Sequence, residues 1–164
     1  MPLPNHQNPR TINEMQKSTI LYGILTGIGT AVYLLIFYKL DRENAINPFV
    51  SFGSLLVVVA GMVLASRKLR DLNDGKLTKQ EALKASFLVA VISGLFFYGL
   101  LYVLFQKIDS GLNELVRQKM QATAKPGDSI PAYEMSLGDI LMGYGFSLIY
   151  GFLLALRVSN FVKK

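Results

Sequence analysis

The chain has 164 residues, enough for one domain and too few for two with separate cores, and charged residues make up 17% of it, against about 25% in soluble domains. Cysteine is absent and His6 is the only histidine, which excludes disulfides, thiolate chemistry and Ser-His triads, and we expect no metal, no cofactor and no catalytic residue. The net charge of +6 is typical of proteins that bind nucleic acid, bind anionic lipid or insert into membranes.

Four apolar segments meet the length of about 20 residues that a helix needs to cross a hydrocarbon core of about 30 Å. Residues 18–38, 48–66 and 85–105 contain no charge, and residues 137–156 contain only Asp139. Their uniform hydrophobicity favours helices over the alternating strands of a membrane barrel. The sequence therefore predicts an all-α integral membrane protein with one four-helix transmembrane domain over 18–160, between an N-terminal tail (1–17) and a C-terminal tail (161–164).

Capping signals define the ends of these helices. Asn47-Pro48 predicts the start of the second helix, and Gly75 provides a left-handed turn that ends it. Thr78-Lys79-Gln80-Glu81 is a capping box that opens the third helix, which we expect to cover 79–105. A second box, Ser136-Leu137-Gly138-Asp139, opens the fourth.

The segment between the third and fourth spans, 106–136, carries an amphipathic pattern. Its apolar residues at helical spacing are Ile108, Leu112, Leu115, Val116 and Met120. This pattern predicts either an interfacial helix or a continuation of the third helix bent near Gly111. Residues 124–128 then predict a turn that leads back to the fourth span.

The lysine and arginine residues set the expected orientation. The predicted inner side carries eleven: Arg10, Lys17, Arg67, Lys68, Arg70, Lys76, Lys79, Lys84, Arg157, Lys163 and Lys164. The opposite side carries six: Lys39, Arg42, Lys107, Arg117, Lys119 and Lys125. The positive-inside rule then places both termini in the cytoplasm.

The two halves of the chain show a weak internal repeat. The segment 35–41 aligns with 103–109, and the second span aligns less well with the fourth. Both pairs run in the same direction, so the sequence predicts two helical hairpins related by a pseudo-two-fold axis along the membrane normal.

Small residues form stripes on three of the spans, and in lipid such stripes allow helix backbones to approach closely. The fourth span carries Gly143, Ser147, Gly151 and Ala155 below Asp139; the first carries Gly23 and Gly27; the third carries Ala90 and Gly94. The partner of the fourth span is either another helix of the same chain or a neighbouring subunit.

Asp139 is the one ionisable residue inside an apolar run. Such a residue is by default a candidate proton or cation site. Its position about one turn from the helix start also fits an N-terminal cap, and an intersubunit contact is a third interpretation.

A basic patch surrounds the predicted inner loop. It consists of Arg67, Lys68, Arg70, Lys76, Lys79 and Lys84. The patch fits the head group of an anionic lipid, and the positive-inside rule alone also accounts for it. Nucleic acid is not an expected partner, because no recognition motif accompanies the charges.

Two tyrosines, Tyr98 and Tyr144, lie deep within spans and require hydrogen-bond partners. We expect interhelical contacts with Ser93, Ser147 or Thr30; a quinone or lipid pocket is the alternative.

Four short motifs resemble a known family: Ser66-Arg67-Lys68-Leu69-Arg70-Asp71, Gly75-Lys76-Leu77-Thr78, Ala82-Leu83-Lys84 and Lys107-Ile108-Asp109. Over roughly residues 17–160 the chain resembles small four-span proteins of the bacterial inner membrane that are catalogued as a domain of unknown function. That family typically has Ser-Phe at the position of Thr78-Lys79. The resemblance implies the topology, the membrane and a long outer segment, and it implies no activity.

The function that we expect is that of a non-enzymatic accessory subunit or membrane anchor, which packs against another membrane protein and contacts anionic lipid. A membrane-associated enzyme such as a lipid-linked glycosyltransferase is one kind of partner. The alternative is a small transporter or channel that forms its pathway as a homo-oligomer. Few polar groups lie in the spans, so a lipid-active enzyme is the third interpretation.

Overall fold

The computed structural model describes residues 9–125 and 131–162, with side chains from residue 13 onward. Its helices are α1 (Pro9–Leu40), α2 (Pro48–Leu72), α3 (Lys79–Val103), α4 (Gly111–Thr123) and α5 (Leu137–Val162). A short 3-10 helix (Arg42–Ile46) follows α1, and a π-helical turn (Leu104–Ile108) follows α3. Within the described residues there is no strand. Residues 126–130, which include part of the predicted turn, and parts of both predicted tails lie outside the described residues.

Four of the helices are long and apolar enough to cross a membrane: α1, α2, α3 with its π-helical turn, and α5. The predicted all-α, four-span fold is confirmed. Several helices extend beyond the apolar runs, since α1 begins at Pro9, α2 ends at Leu72 and α5 ends at Val162. Hydrophobicity marks only the part of a helix that fits in lipid, and the lysine, arginine and glutamine residues at its ends are good helix formers.

The capping signals read from the sequence are confirmed. The Asn47 side chain accepts a hydrogen bond from the Phe49 N–H at 2.9 Å and caps α2, with Pro48 as the first helical residue. Thr78 and Glu81 form the reciprocal capping box of α3. Gly75 has φ +78°, and its N–H donates to the Arg70 carbonyl at 2.9 Å, which closes the end of α2.

Helix α3 is the centre of the bundle. It packs against α1, α2 and α5, and α2 also contacts α1 and α5. One end of the bundle, which we call the basic end, contains the start of α1, the α2–α3 connection and the last turn of α5. There Met15, Leu69 and Ala85 form a small apolar cluster.

The opposite end, which we call the α4 end, is covered by the segment between α3 and α5. The backbone breaks at Asp109, so α4 is a separate helix and not a bent continuation of α3. Leu112 is fully buried against Leu104 and Phe105, while Ile108 and Met120 of the predicted apolar face are exposed. The amphipathic pattern therefore identified α4 but assigned two residues too many to its buried face.

Both predicted hairpins are present, since α1 lies against α2 and α3 lies against α5. An exact two-fold axis would exchange α1 with α3 and α2 with α5. The contact between α2 and α3 would then be repeated between α5 and α1. In the described part of the chain, no contact of comparable extent joins α5 to α1. The packing of the hairpins is therefore asymmetric, and the internal duplication stays a prediction.

We predict that Gly27→Ala destabilises the bundle. A Cβ atom at Gly27 would lie 2.6 Å from Cδ2 and 3.0 Å from Cβ of Phe96, so α1 and α3 would have to separate. The expected loss in the free energy of unfolding is about 1–3 kcal/mol, measured by denaturant titration in detergent micelles. Gly99→Ala is the matched control, because a Cβ there meets nothing within 4 Å. Equal stability of the two variants would contradict the close approach.

Candidate functional site

The small-residue stripe of α5 faces α3 of the same chain. A Cβ atom at Gly143 would lie 2.9 Å from Cε1 of Tyr98, and one at Gly151 would lie 2.9 Å from Cβ of Ala90. Ala155 is fully buried and belongs to the core cluster that includes Val58 and Val89. Of the two partners that the sequence allowed, the geometry matches the intrachain one.

The small residues of α1 and α3 also lie at contacts between helices inside the bundle. Gly23 and Gly27 of α1 receive the side chains of Ile92 and Phe96 from α3, and Gly94 receives the ring of Tyr144 from α5. Ser86 of α3 and Ser66 of α2 are both fully buried, and their hydroxyl groups lie 3.1 Å apart in a hydrogen bond. This hydrogen bond joins the two hairpins through α2 and α3.

A small cavity lies at the centre of the bundle, and it is lined by hydroxyl groups from all four spanning helices. Its volume is about 70 Å³, and its polar residues are Thr30, Ser51, Ser54, Ser93, Tyr98 and Ser147. This volume is sufficient to hold ordered water. Because hydroxyl residues of four helices meet there, the cavity is the strongest candidate for a polar binding site in the described part of the bundle.

Four of the six hydroxyl groups of this cavity donate their protons within their own helices and present oxygen lone pairs to the cavity. Thr30 donates to the Gly27 carbonyl at 2.9 Å, and Ser54 donates to the Ser51 carbonyl at 2.7 Å. Ser93 and Ser147 likewise donate to carbonyls one turn back in their own helices. Because these protons are used, the cavity suits a hydrogen-bond donor such as water better than a quinone, whose carbonyl groups only accept.

The two deep tyrosines make different contacts. Tyr98 lines the central cavity together with Ser147, one of the partners expected from the sequence. The Tyr144 hydroxyl instead donates to the backbone carbonyl of Val91 at 3.1 Å. The two rings pack edge to face, with centroids 6.0 Å apart. Both tyrosines therefore join α3 to α5.

Asp139 forms a capping box at the start of α5. Its carboxylate accepts hydrogen bonds from the Ser136 N–H at 2.9 Å and the Ser136 hydroxyl at 2.7 Å, and the Asp139 N–H donates to the Ser136 hydroxyl oxygen at 3.1 Å. The residue is exposed. This geometry matches the capping interpretation and makes the carboxylate part of the helix terminus.

The basic patch lies at the basic end, on the last turns of α2, the α2–α3 connection and the first turns of α3. Arg67, Lys68, Lys76, Lys79 and Lys84 are exposed, and Arg70 is half-buried. Within residues 13–125 and 131–162 none of the six forms an ion pair. The patch therefore keeps its charge available to the surroundings, as an anionic surface requires.

An ion pair at the α4 end was not expected from the sequence. Arg42 donates to the two Asp109 carboxylate oxygens at 2.9 and 2.6 Å, and the Tyr38 hydroxyl donates to Asp109 at 3.1 Å. The Asp109 side chain is 15% exposed. These bonds join the α1–α2 connection to the junction of α3 and α4. Lys119 adds a second ion pair, to Glu43, at 3.1 Å.

These features define the class of protein: a small helical membrane bundle whose spans pack through glycine, alanine and serine. The chain matches the family described as "Protein of unknown function (DUF4199)" over residues 21–164, and it belongs to that family. The resemblance noted from its motifs is thereby confirmed. Comparison with curated proteins and with solved structures found no match.

We predict that Asp109→Asn weakens the α4 end. The substitution removes the negative charge from a bidentate pair with a partly buried acceptor, so about 1–3 kcal/mol of stability should be lost. Thermal unfolding in detergent of the wild type, Asp109→Asn, Arg42→Gln and the double variant would measure the coupling. Additive losses in the double variant would show that the two side chains do not interact.

We also predict that the Glu114 carboxyl titrates far below its usual range. Hydrogen bonds from Arg117 and Gln118 lower its pKa from 4.5 to about 2. A lowered pKa stabilises α4 above about pH 4.5, and this contribution disappears as the pH falls towards 2. Carbon-detected NMR of labelled glutamate should show the midpoint moving up towards 4.5 in Arg117→Gln. An unchanged midpoint would rule out the pairing.

Proposed function

We propose that this protein is a non-enzymatic accessory subunit or membrane anchor of the bacterial inner membrane, with both termini in the cytoplasm. In this role it holds a partner membrane protein by helix packing. The partner is a membrane-embedded helix, because the available surface of the bundle is apolar along its whole length.

The distribution of positive charge supports this orientation. The basic patch lies at the end of the bundle where α1 begins and α5 ends, and the count of lysine and arginine residues favours the same side by eleven to six. In this orientation α4 and the Arg42–Asp109 pair face outward.

The exposed apolar surface of α5 is the main support for a protein partner. Only 17% of its most apolar stretch is buried in the bundle, against 39% for α2. The exposed large side chains of α5 include Leu141, Met142, Phe146, Ile149 and Leu153. Gly145 lies on the same face, and a Cβ there would meet nothing within 4 Å, so another helix has room to approach closely.

Two carboxylates at the ends of the spans have structural partners, which also supports an anchor. Asp139 caps α5 and Asp109 binds Arg42, so these carboxylates stabilise the bundle itself. An accessory subunit requires a rigid bundle of this kind, whereas a proton-coupled carrier requires a carboxylate that changes its partner during the cycle.

The test is site-specific photocrosslinking in cells that produce the full chain. With p-benzoylphenylalanine at Phe146 on α5, we expect one foreign membrane protein to be captured, and it should co-purify in stoichiometric amount in mild detergent. The control position is Leu21, an exposed leucine on α1. Capture only of a second copy of the chain, or equal capture from both positions, would overturn the proposal.

A small oligomeric transporter or channel is the second candidate, and the hydroxyl-lined cavity favours it. All four spanning helices contribute to this cavity, as expected for a polar site in the middle of a carrier. The two candidate functions predict different results for the variants Asp139→Asn and Ser93→Ala. An anchor should retain partner binding in both variants, whereas a carrier should lose flux in reconstituted vesicles.

A further inference from the structure

An apolar groove runs between α2 and α5 on the surface that faces lipid. Phe52 and Leu55 form its α2 side, and Leu153, Leu154 and Leu156 form its α5 side. The groove encloses about 460 Å³. It exists because α5 packs closely along α3 and only sparsely against α2.

Arg157 lies at one end of this groove. The residue is exposed, and among the described residues it forms no ion pair. A guanidinium beside leucine side chains in a membrane is unfavourable unless an anion neutralises it. At the exposed end of the groove the guanidinium is free to bind an anion from outside the bundle.

The register of the helices places Arg157 at the level of the lipid head groups. The contacts of Gly143 with Tyr98 and of Gly151 with Ala90 set α5 antiparallel to α3. Arg157 lies six residues after Gly151 on α5, and Lys84 lies six residues before Ala90 on α3. In this antiparallel register the two residues are therefore at the same level. Lys84 immediately precedes the charge-free run 85–105, so both cations lie at the same membrane boundary.

Two aromatic rings lie at the other end of the groove. Phe52 and Tyr150 pack edge to face, with centroids 6.4 Å apart, and both line the groove. Tyr150 and Arg157 are seven residues apart on α5, a distance of about 10 Å along the helix axis. The groove therefore has a cation at one end and an apolar wall of this length, which suits the upper part of one acyl chain that carries an anionic head group.

We propose that the α2–α5 groove binds one anionic phospholipid of the cytoplasmic leaflet. The phosphodiester accepts hydrogen bonds from the Arg157 guanidinium, and an acyl chain lies along Leu153 and Leu154 towards Phe52 and Tyr150. Arginine suits this role because its planar fork can donate two hydrogen bonds to one phosphate. The site depends on the proposed orientation, and it shares Leu153 with the face of α5 that we propose for a protein partner.

The experiment is native mass spectrometry of the full chain in mild detergent with dioleoylphosphatidylglycerol or dioleoylphosphatidylcholine. We expect one tightly retained phosphatidylglycerol and weaker retention of the neutral lipid. Arg157→Gln should lower phosphatidylglycerol binding about fivefold, as loss of one lipid-facing cation predicts, and Arg157→Lys should restore part of it. The control is Arg67→Gln, which removes one positive charge from the basic patch. Its fold decrease in phosphatidylglycerol binding should be less than half of that caused by Arg157→Gln.

A second variant tests the apolar wall with the charge unchanged. Leu153 is exposed, so Leu153→Phe should leave the fold intact while it narrows the groove, and phosphatidylglycerol retention should fall. Glycerol 3-phosphate, which has no acyl chain, should not displace the lipid. Equal retention of the two lipids, equal effects of Arg157→Gln and Arg67→Gln, or displacement by glycerol 3-phosphate would overturn the proposal. Circular dichroism would establish that each variant is folded.

Discussion

Helices that lie in hydrocarbon gain little from covering one another's leucine side chains, because lipid tails solvate those side chains equally well. Close contact between backbones and a few hydrogen bonds must then hold the bundle together. In this protein four glycines of α1, α3 and α5 meet large side chains of the neighbouring helix and Gly151 meets Ala90, so dispersion forces act over short distances. The position of every other feature depends on these contacts, since α3 packs against each of the other spanning helices.

The polar residues of the spans follow from the same constraint. A hydroxyl group in lipid has no water to bind, and most of these serines and threonines donate to a carbonyl of their own helix. Such bonds leave the helices free to slide past one another. Direct bonds between helices are fewer, and they are the ones that fix position: Ser66 with Ser86, and Tyr144 with the Val91 carbonyl.

The parts of this fold that could be predicted from the sequence depend on local physics. Apolar run length predicted the four spans, and capping residues such as Asn47, Thr78 and Gly75 predicted helix ends, because both signals act within a few residues. The pairing of Arg42 with Asp109 was missed although both charges were visible in predicted outer segments. The two residues are 67 positions apart, and only the packing of α1 against α3 brings them together.

The hydroxyl-lined cavity was not predicted from the sequence. Tyr98 and Tyr144 were identified as groups in need of partners, and two of the expected partners of these tyrosines, Ser93 and Ser147, line the cavity with Tyr98. The carbonyl that Tyr144 uses could not be identified, because nothing in the sequence tells which backbone group of α3 is turned towards α5. The apolar groove at Arg157 depends on the unequal spacing of α5 from α2 and α3, which is likewise a property of three helices and not of one.

The central position of α3 has a consequence for biogenesis. A ribosome delivers α1 and α2 to the membrane first, and at that stage the Ser66 hydroxyl and the glycine face of α1 have no protein against them. Both are covered when α3 enters, and α5 then adds to a bundle that is already closed on its other side. Contacts thus become possible in the order in which these helices are made, and α5, which follows the other three spans, has the most surface left for other molecules among the four.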